Sequence, residues 1–416
     1  MTLYRKIVYV NFLIIIFYIN NSFPQQKHIP NIFIDYPYIN LNYIKEQIPI
    51  VNYVRDQKDS DVHILFTSQK TAAGGTIFTV YFIGQNEFKN LKDTVKYLTD
   101  QNDTEDISRK KMVKALELGI FEYLVKSGLA DKINISYTEP QKKVNQKDSW
   151  DYWLFKTILN GNFNGQANQN ALYLNGSFFA DRTTEDSKFN INISSSYNEN
   201  RYSYNSGTEI TEILNLSRAQ SLNTYIVKSI DSSWSWGIWG GVVSSTYANI
   251  NVSAYLAPGI EFNIFPYSVS NEKQFRIDYM IKHIYNKYLQ ETILYKNEED
   301  LWNNSLNMTL SLIRPWGNMS LNAYGSNYLN DFNLFDIGVS SSLSMELFNG
   351  LSINLNVGYS KIQDQISLPL ASVTLENLLT QNVQVQTNFN YWGGFGISYS
   401  FGSIYNNVVN PRFGGG

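Results

Sequence analysis

Residues 335–347 read FDIGVSSSLSMEL, and apolar and polar side chains alternate along this stretch. Ile337 and Val339 fall on one face of an extended chain, while Gly338 and Ser340 fall on the other. Alternation with a period of two is typical of a β-strand whose faces meet different environments. A face in contact with water usually carries many Lys, Arg, Asp and Glu residues, whereas this polar face is mainly Gly and Ser. The stretch therefore predicts a strand with lipid on one side and a small polar interior on the other.

The same alternation recurs from residue 150 to residue 402. The connections between the segments alternate between one set that is always short and another that includes three long loops, 200–219, 286–300 and 364–383. Strands that pass up and down through a membrane produce this parity when their number is even. We therefore predict an all-β antiparallel transmembrane barrel of about twelve strands, at 150–160, 169–181, 187–199, 220–231, 234–246, 249–264, 273–285, 301–314, 317–329, 334–348, 350–363 and 384–402.

Charge is distributed unevenly along the 416 residues. Residues 1–149 include 35 charged side chains with a net charge of +3, whereas residues 150–416 include only 34 with a net charge of −6. So few charges beside many Asn, Ser, Gly and aromatic residues are atypical of a soluble domain. The chain has no cysteine, which excludes disulfides and thiolate metal sites. The absence of a basic tract predicts no nucleic-acid partner.

The first 24 residues are predicted to be a secretory signal peptide. Arg5 and Lys6 precede the apolar run Ile7–Ile19, and cleavage is expected between Ser22 and Gln26. Thirteen helical residues rise only about 20 Å, against roughly 30 Å of hydrocarbon. A retained membrane anchor is the alternative interpretation.

Residues 27–138 are predicted to form a small α/β domain, followed by a polar linker at 139–149. Two β-branched and aromatic runs, 61–68 and 76–83, flank Gly74 and Gly75 and indicate a hairpin. A phosphate-binding loop is the alternative use of these glycines, but the Lys and Ser/Thr of that motif are missing. The remaining predicted elements are a strand at 31–35, a helix at 39–47, a helix that Asp103 or Thr104 caps and Gly128 ends, and a strand at 133–137.

Two resemblances accompany these patterns. Residues 61–124 are similar in shape to the small α/β domain of the periplasmic Tol-system propeller protein, although no propeller follows. The opening Trp150-x-x-Trp153, the tail YSFGSIYNNVVNPRF (399–413) and the stretch VNYVRDQKDSDVHILFTSQKTAAGG (51–75) resemble uncharacterised outer-membrane barrel proteins of Bacteroidota-type bacteria. This second resemblance implies a bacterial outer-membrane location with the N-terminal domain in the periplasm. It implies no activity and no site.

The last strand and the tail carry a specific expectation. Residues 389–401 alternate so regularly that we expect a closing strand, paired with strand 150–160. Its aromatic end, Tyr399 and Phe401, resembles the signal that the barrel-assembly machinery reads, which implies that machinery as a partner during biogenesis. Asn406, Asn407, Asn410 and Pro411 suit a turn or plug and not a further strand. Residues 403–416 are therefore expected to fold back on the periplasmic side or into the mouth of the lumen.

Aromatic residues near the strand ends are expected to form membrane girdles. Those assigned to the periplasmic end are Trp150, Trp153, Trp234, Trp236, Trp239, Trp316, Tyr399 and Phe401.

Charged residues on the polar face of the strands are expected to point into the lumen, because a charge in lipid is costly. They could form a constriction for a solute or a salt-bridged plug that fills a narrow barrel. The residues with this expected position are Lys156, Lys228, Glu261, Arg276, Asp278, Lys282, Asp336 and Glu346.

No catalytic, metal or cofactor site is expected. The three histidines, His28, His63 and His283, lie far apart in the sequence, whereas metal sites gather several ligands. The leading hypothesis is a non-enzymatic barrel that serves as an envelope anchor or interaction scaffold, surrounded by outer-membrane lipid and binding a periplasmic protein. A narrow channel for small solutes is the alternative. A lipid hydrolase that uses His283, by analogy with twelve-stranded outer-membrane phospholipases, is the third hypothesis.

Overall fold

The computed structural model describes residues 28–36, 40–71, 74–134, 150–205, 207, 210–348, 350–370 and 384–407. The predicted signal peptide and linker lie outside these residues, as does most of the predicted strand 133–137. The described chain folds into two sheets, one of five strands near the N-terminus and one of twelve strands after it.

The five-stranded sheet and two helices together form what we call the N-terminal module. Its strands lie in the order β2-β1-β3-β4-β5, with β1 parallel to β2 and β3 and the rest antiparallel. The predicted hairpin and both predicted helices are present, whereas β2 and β5 were not predicted from the sequence. The elements are β1 (Asn31–Asp35), α1 (Leu41–Gln47), β2 (Asn52–Tyr53), β3 (Val62–Lys70), β4 (Thr76–Gly84), β5 (Lys92–Thr99) and α2 (Glu105–Lys126).

Helix α2 packs one face on the sheet. Thr104 caps the helix, its side chain accepting a hydrogen bond from the backbone N–H of Ile107. Apolar residues three and four positions apart then fall on the face that meets β4, where Leu116 and Phe82 are fully buried. Gly119 allows a close approach, because a Cβ added there would overlap the Phe82 ring.

The twelve-stranded sheet confirms the predicted number of strands and their antiparallel order. Each strand pairs with its sequence neighbours from β6 at one edge to β17 at the other. The strands are β6 (Trp153–Gln166), β7 (Gln169–Thr183), β8 (Ser187–Asn205), β9 (Ile210–Ser229), β10 (Trp234–Ser245), β11 (Ile250–Asn263), β12 (Lys273–Tyr288), β13 (Glu298–Arg314), β14 (Gly317–Tyr328), β15 (Asp331–Phe348), β16 (Leu351–Ile362) and β17 (Phe389–Tyr399). Within the described ranges, no helix is long and apolar enough to cross a membrane.

The register separates an apolar face from a polar face along the whole sheet. Val339 pairs with Ala323 and Tyr359, while its neighbour Ser340 pairs with Asn322 and Gly358. We call the face that carries Val339 the outer face and the face that carries Ser340 the inner face. Large side chains on the outer face are exposed, with Phe395 81% accessible.

The connection predicted as a long loop at 200–219 is mostly strand. β8 and β9 pair as far as Asn205 and Ile210. Both strands are therefore longer than the neighbouring strands β7 and β10. The Asn, Ser, Gly and Thr residues here suggested a loop. However, strand pairing needs only backbone groups, and a polar hairpin continues where water surrounds it.

The sheet is open, so the expectation that β17 closes a barrel against the first strand is not met. Within the described part of the chain, β17 pairs with β16 alone and β6 with β7 alone. Both edge strands are rich in glycine, with Gly393, Gly394 and Gly396 in β17. Glycine has no side chain to contact a residue on the neighbouring strand. The two edge strands therefore gain little from side-chain contacts when they pair with each other.

Candidate functional site

Three of the charged residues expected in the lumen meet on the inner face. Arg276 lies between two carboxylates, with its Nε 3.4 Å from Asp278 Oδ1 and 4.0 Å from Glu261 Oε2. Asn307 donates a hydrogen bond to Asp278, and Tyr267 donates one to Glu261, both over 2.9 Å. The cluster lines a cavity of about 370 Å³. Every charge in it has an opposite or polar partner, so the cluster ties β11, β12 and β13 together.

Four of the other charges also lie on the inner face, but they are apart from this cluster. The Lys282 ammonium sits 5.2 Å from the centre of the Tyr255 ring, which suits a cation on an aromatic face. Tyr324 donates hydrogen bonds to both oxygens of Asp336, at 3.2 and 3.3 Å. Glu346 lies at the end of the sheet, and Lys156 is exposed on the edge strand β6.

Two residues lie on the face opposite to the one expected. Lys228 pairs with Trp236, so it shares the outer face with Leu222. Consecutive apolar residues, Tyr225-Ile226-Val227, hide the alternation at this point, and a lysine at a strand end can extend its ammonium to a polar boundary. Trp239, expected in an outer aromatic girdle, pairs with Tyr225 and lies on the inner face.

The three histidines lie in separate places. Each is near one carboxylate: His28 and Asp61 at 2.9 Å, His63 and Asp35 at 3.4 Å, and His283 and Asp300 at 3.4 Å. His283 also packs on the Trp302 ring on the outer face, and no serine hydroxyl hydrogen-bonds to it among the described side chains. The described part of the chain contains no group of three potential metal ligands.

The N-terminal module rests on the end of the twelve-stranded sheet that carries the short turns. Only one face of the module's sheet packs on α2, yet β3 is buried on both faces. The helix-free face includes His63, Leu65 and Thr67, which are no more than 8% exposed. Something other than α2 therefore covers this face.

The covering groups come from the turns of the larger sheet. Asn271 donates a hydrogen bond to Thr67 Oγ1 over 3.1 Å, and Tyr81 donates one to Glu272 over 2.6 Å. The backbone N–H of Gly350 donates to the Asp56 carboxylate. Burial raises the pKa of Tyr81, and the hydrogen bond to Glu272 raises it further. The hydroxyl therefore stays protonated and remains a donor at neutral pH.

A cleft of about 510 Å³ remains between the module and the turn that joins β13 to β14. Aromatic and charged side chains line it from both sides, including Phe33, Asp35, Arg314 and Trp316. Arg314 also approaches Glu272 at 3.7 Å, which ties this turn to the next one.

This junction was not predicted from the sequence. Neither Asn271 nor Glu272 stood out, because a short polar turn is the usual connection between barrel strands. One signal was present in the module: Val62–Phe66 reads VHILF, without the alternation of a strand that has one face in water. A strand apolar on both faces indicates cover on both sides.

The tail after β17 also lies at this end. Residues 404–407 run beside the module and form an isolated antiparallel bridge between Tyr405 and Val54. The expected return of the tail to the short-turn end is thus seen for these residues, while residues 408–416 lie outside the described part. Asn406 and Asn407, expected in a turn or plug, take part in strand-like pairing.

Comparison with known proteins gives distant matches of fold. No protein-family profile and no curated protein matches the chain. Among solved structures, it is similar to the NanC porin (10% identity, 59% of this chain and 99% of that one, TM-score 0.26). It is also similar to the β domain of the Bordetella autotransporter BrkA (9%, 60% and 98%, TM-score 0.24) and to CdiB from Acinetobacter baumannii (9%, 91% and 74%, TM-score 0.25). TM-scores this low support no conclusion about this chain.

Proposed function

We propose that the chain is an outer-membrane β-barrel protein whose N-terminal module lies in the periplasm. It would act as an anchor or interaction scaffold in the cell envelope, without catalysing a reaction. The exposed apolar outer face of twelve successive strands supports the membrane assignment, because such a surface is stable only away from water. An even number of strands places both termini at the same end of the barrel. In outer-membrane barrels this is the periplasmic end, where the turns are short.

The observation that carries the scaffold role is the seating of the module on the short turns. Thr67, Tyr81 and Asp56 fix it to Asn271, Glu272 and Gly350, so the module covers the end of the inner face. A module held in this position obstructs a pore and presents its far side, helix α2, to the periplasm.

The far side of α2 has the features of a protein contact. Ile107, Leu118 and Val125 are 43%, 58% and 40% exposed, although they are large and apolar. They are eleven and seven residues apart, which places them on one side of a helix. We infer that this stripe meets a periplasmic protein.

The proposal includes closure of the sheet in lipid. Free N–H and C=O groups on β6 and β17 would cost several kcal/mol each in hydrocarbon. The even number of strands makes these two edges antiparallel to each other, so they can pair directly.

The test uses the full chain with a photo-crosslinking amino acid at position 118. The control variant carries it two residues away at position 116, on the buried face of α2. The scaffold role predicts an adduct with a periplasmic protein from position 118 only. In planar bilayers, the purified chain is expected to show no stable openings. No adduct at 118, together with reproducible conductance, would overturn the proposal.

A narrow channel is the second candidate, and the charged inner cluster favours it. Arg276 beside the cavity of about 370 Å³ would contribute to ion selectivity if the lumen conducted. Conductance whose anion-to-cation preference changes in Arg276→Ala, but not in the outer-face variant Lys228→Ala, would support the channel. Absence of openings in both variants would remove it.

A further inference from the structure

Strand β2 is an edge strand of the N-terminal sheet, and residues 404–407 of the chain's own tail pair with this edge. The backbone N–H of Arg55 donates to the carbonyl of Ile404 over 3.1 Å, and the N–H of Asn406 donates to the carbonyl of Tyr53 over 2.7 Å. These two bonds flank the pair Val54 and Tyr405. The pattern is that of an antiparallel ladder in which this pair is the non-hydrogen-bonded one.

Asn407 continues the ladder with its side chain. Its Oδ1 accepts a hydrogen bond from the backbone N–H of Tyr53 over 2.6 Å, and its Nδ2 donates to Asn52 Oδ1 over 3.1 Å. One side chain therefore pairs with both residues of β2. An aspartate here would keep the acceptor and lose the donor, whereas an alanine would lose both.

The tail reaches this edge directly from β17, the last strand of the open sheet. The module also contacts the opposite edge strand, because the Leu154 side chain of β6 lies against Gly74 in the module's hairpin loop. The module thus touches the chain on both sides of the opening between β6 and β17. Residues 404–407 provide the contact on the β17 side.

We propose that the β2 edge is a binding site for an extended peptide segment, filled in cis by residues 404–407. The segment is a latch that ties the module to the chain just after β17. Its ligand class is an extended strand that offers a backbone N–H at the position of Asn406 and a primary amide at the position of Asn407. This inference does not rest on the membrane location or on the scaffold role.

The latch can be tested with the pair Val54→Cys and Tyr405→Cys, because the chain has no cysteine of its own. A non-hydrogen-bonded antiparallel pair has its Cα atoms about 4.5 Å apart, within the disulfide range. We expect an intramolecular disulfide to form in the folded full chain. The control pair, Val54→Cys and Ser403→Cys, is out of register and is expected to remain reduced.

Two outcomes of this experiment would overturn the cis latch. A disulfide-linked dimer would show that the tail occupies the edge of a second copy. Equal reactivity of the two cysteine pairs would show that residues 404–407 have no fixed register on β2.

The binding site itself is tested by supplying the segment in trans. A labelled peptide of residues 400–410 is expected to bind a chain that ends at Gly402, and to bind the full chain at least tenfold more weakly because the site is filled. The matched peptide with Asn406→Pro lacks one N–H donor and is expected to bind about tenfold more weakly than the parent. Equal binding of both peptides to the truncated chain would overturn the proposal.

A full-length variant tests the binding site without truncation, in case the truncated chain does not fold. Asn407→Ala keeps every strand intact and removes two hydrogen bonds to β2. We expect it to bind the labelled peptide more tightly than the wild-type chain, because its own tail competes less well. No difference from wild type would contradict the role of Asn407.

Discussion

The two sheets of this chain place their apolar residues in opposite surroundings. In the five-stranded sheet, Ile64, Val80 and Phe82 have no exposed surface. In the twelve-stranded sheet, Phe163 and Phe395 are 87% and 81% exposed. Both sheets use the same β-branched and aromatic side chains, so strand propensity does not distinguish them. The proposed membrane location accounts for this difference, because lipid would cover the apolar face of the larger sheet.

The largest expected effect comes from the core of the small sheet. Phe82→Ala should lower the free energy of unfolding of the module by about 3–5 kcal/mol, because it leaves a cavity beneath α2. The measurement is the denaturant midpoint followed by far-UV circular dichroism. The control is Leu118→Ala on the exposed side of α2, which is expected to have a much smaller effect. Equal effects at both positions would contradict the placement of the core.

The next effect sharpens the comparison between the sheets. Val339→Arg on the outer face should destabilise the larger sheet by about 2–4 kcal/mol if lipid surrounds it. Ser340→Arg is the matched control, one residue away on the inner face. Folding into vesicles, followed by the heat-dependent shift on gels, should be impaired for position 339 only. Tolerance of arginine at position 339 would place the outer face in water.

A smaller effect concerns the start of helix α2. Thr104→Ala removes the side-chain acceptor for the N–H of Ile107 and should cost about 1 kcal/mol. Thr104→Ser keeps the hydroxyl and should retain most of the stability. Thermal unfolding of the two variants measures the difference, and identical midpoints would rule out the cap.

The smallest effect depends on pH. Lys111 donates a hydrogen bond to Asp103 over 2.6 Å, and this interaction holds the pKa of Asp103 below its ordinary value of 3.8. A carboxyl group with a depressed pKa stabilises the fold above its unfolded pKa, and this contribution is lost as the pH falls through the folded value. The module should therefore lose stability as the pH falls below about 4.

The variant Asp103→Asn tests this origin of the acid sensitivity. Its stability should vary less with pH over the acid range than that of the wild-type chain. Denaturant unfolding at a series of pH values gives the comparison. Parallel curves for the two proteins would assign the acid sensitivity to other groups.

The regular parts of both sheets could be predicted from the sequence. Alternation at residues such as Ile337 to Ser340 defines a strand and its two faces, and the number of alternating segments predicted the number of strands. Helix α2 was predictable because a cap and an apolar stripe coincide. These signals are local. A local preference predicts the folded structure correctly when no contact with a distant part of the chain opposes it.

The junction and the tail could not be predicted in the same way. Tyr81 and Glu272 meet across 191 residues of sequence, and Thr67 and Asn271 across 204. No periodicity reports such contacts. Asn407 resembled a turn residue, yet its amide pairs with the β2 edge. Lys228 was placed on the wrong face because three consecutive apolar residues precede it without alternation.

Spin labels along β15 test whether the outer face of the larger sheet contacts lipid. Single cysteines at positions 336–343, introduced into a chain without cysteine, each carry one label in vesicles. We predict that accessibility to oxygen, which concentrates in lipid, is high at 337, 339, 341 and 343, and low at the positions between them. Uniform accessibility to a water-soluble nickel reagent, with no period of two, would contradict the account.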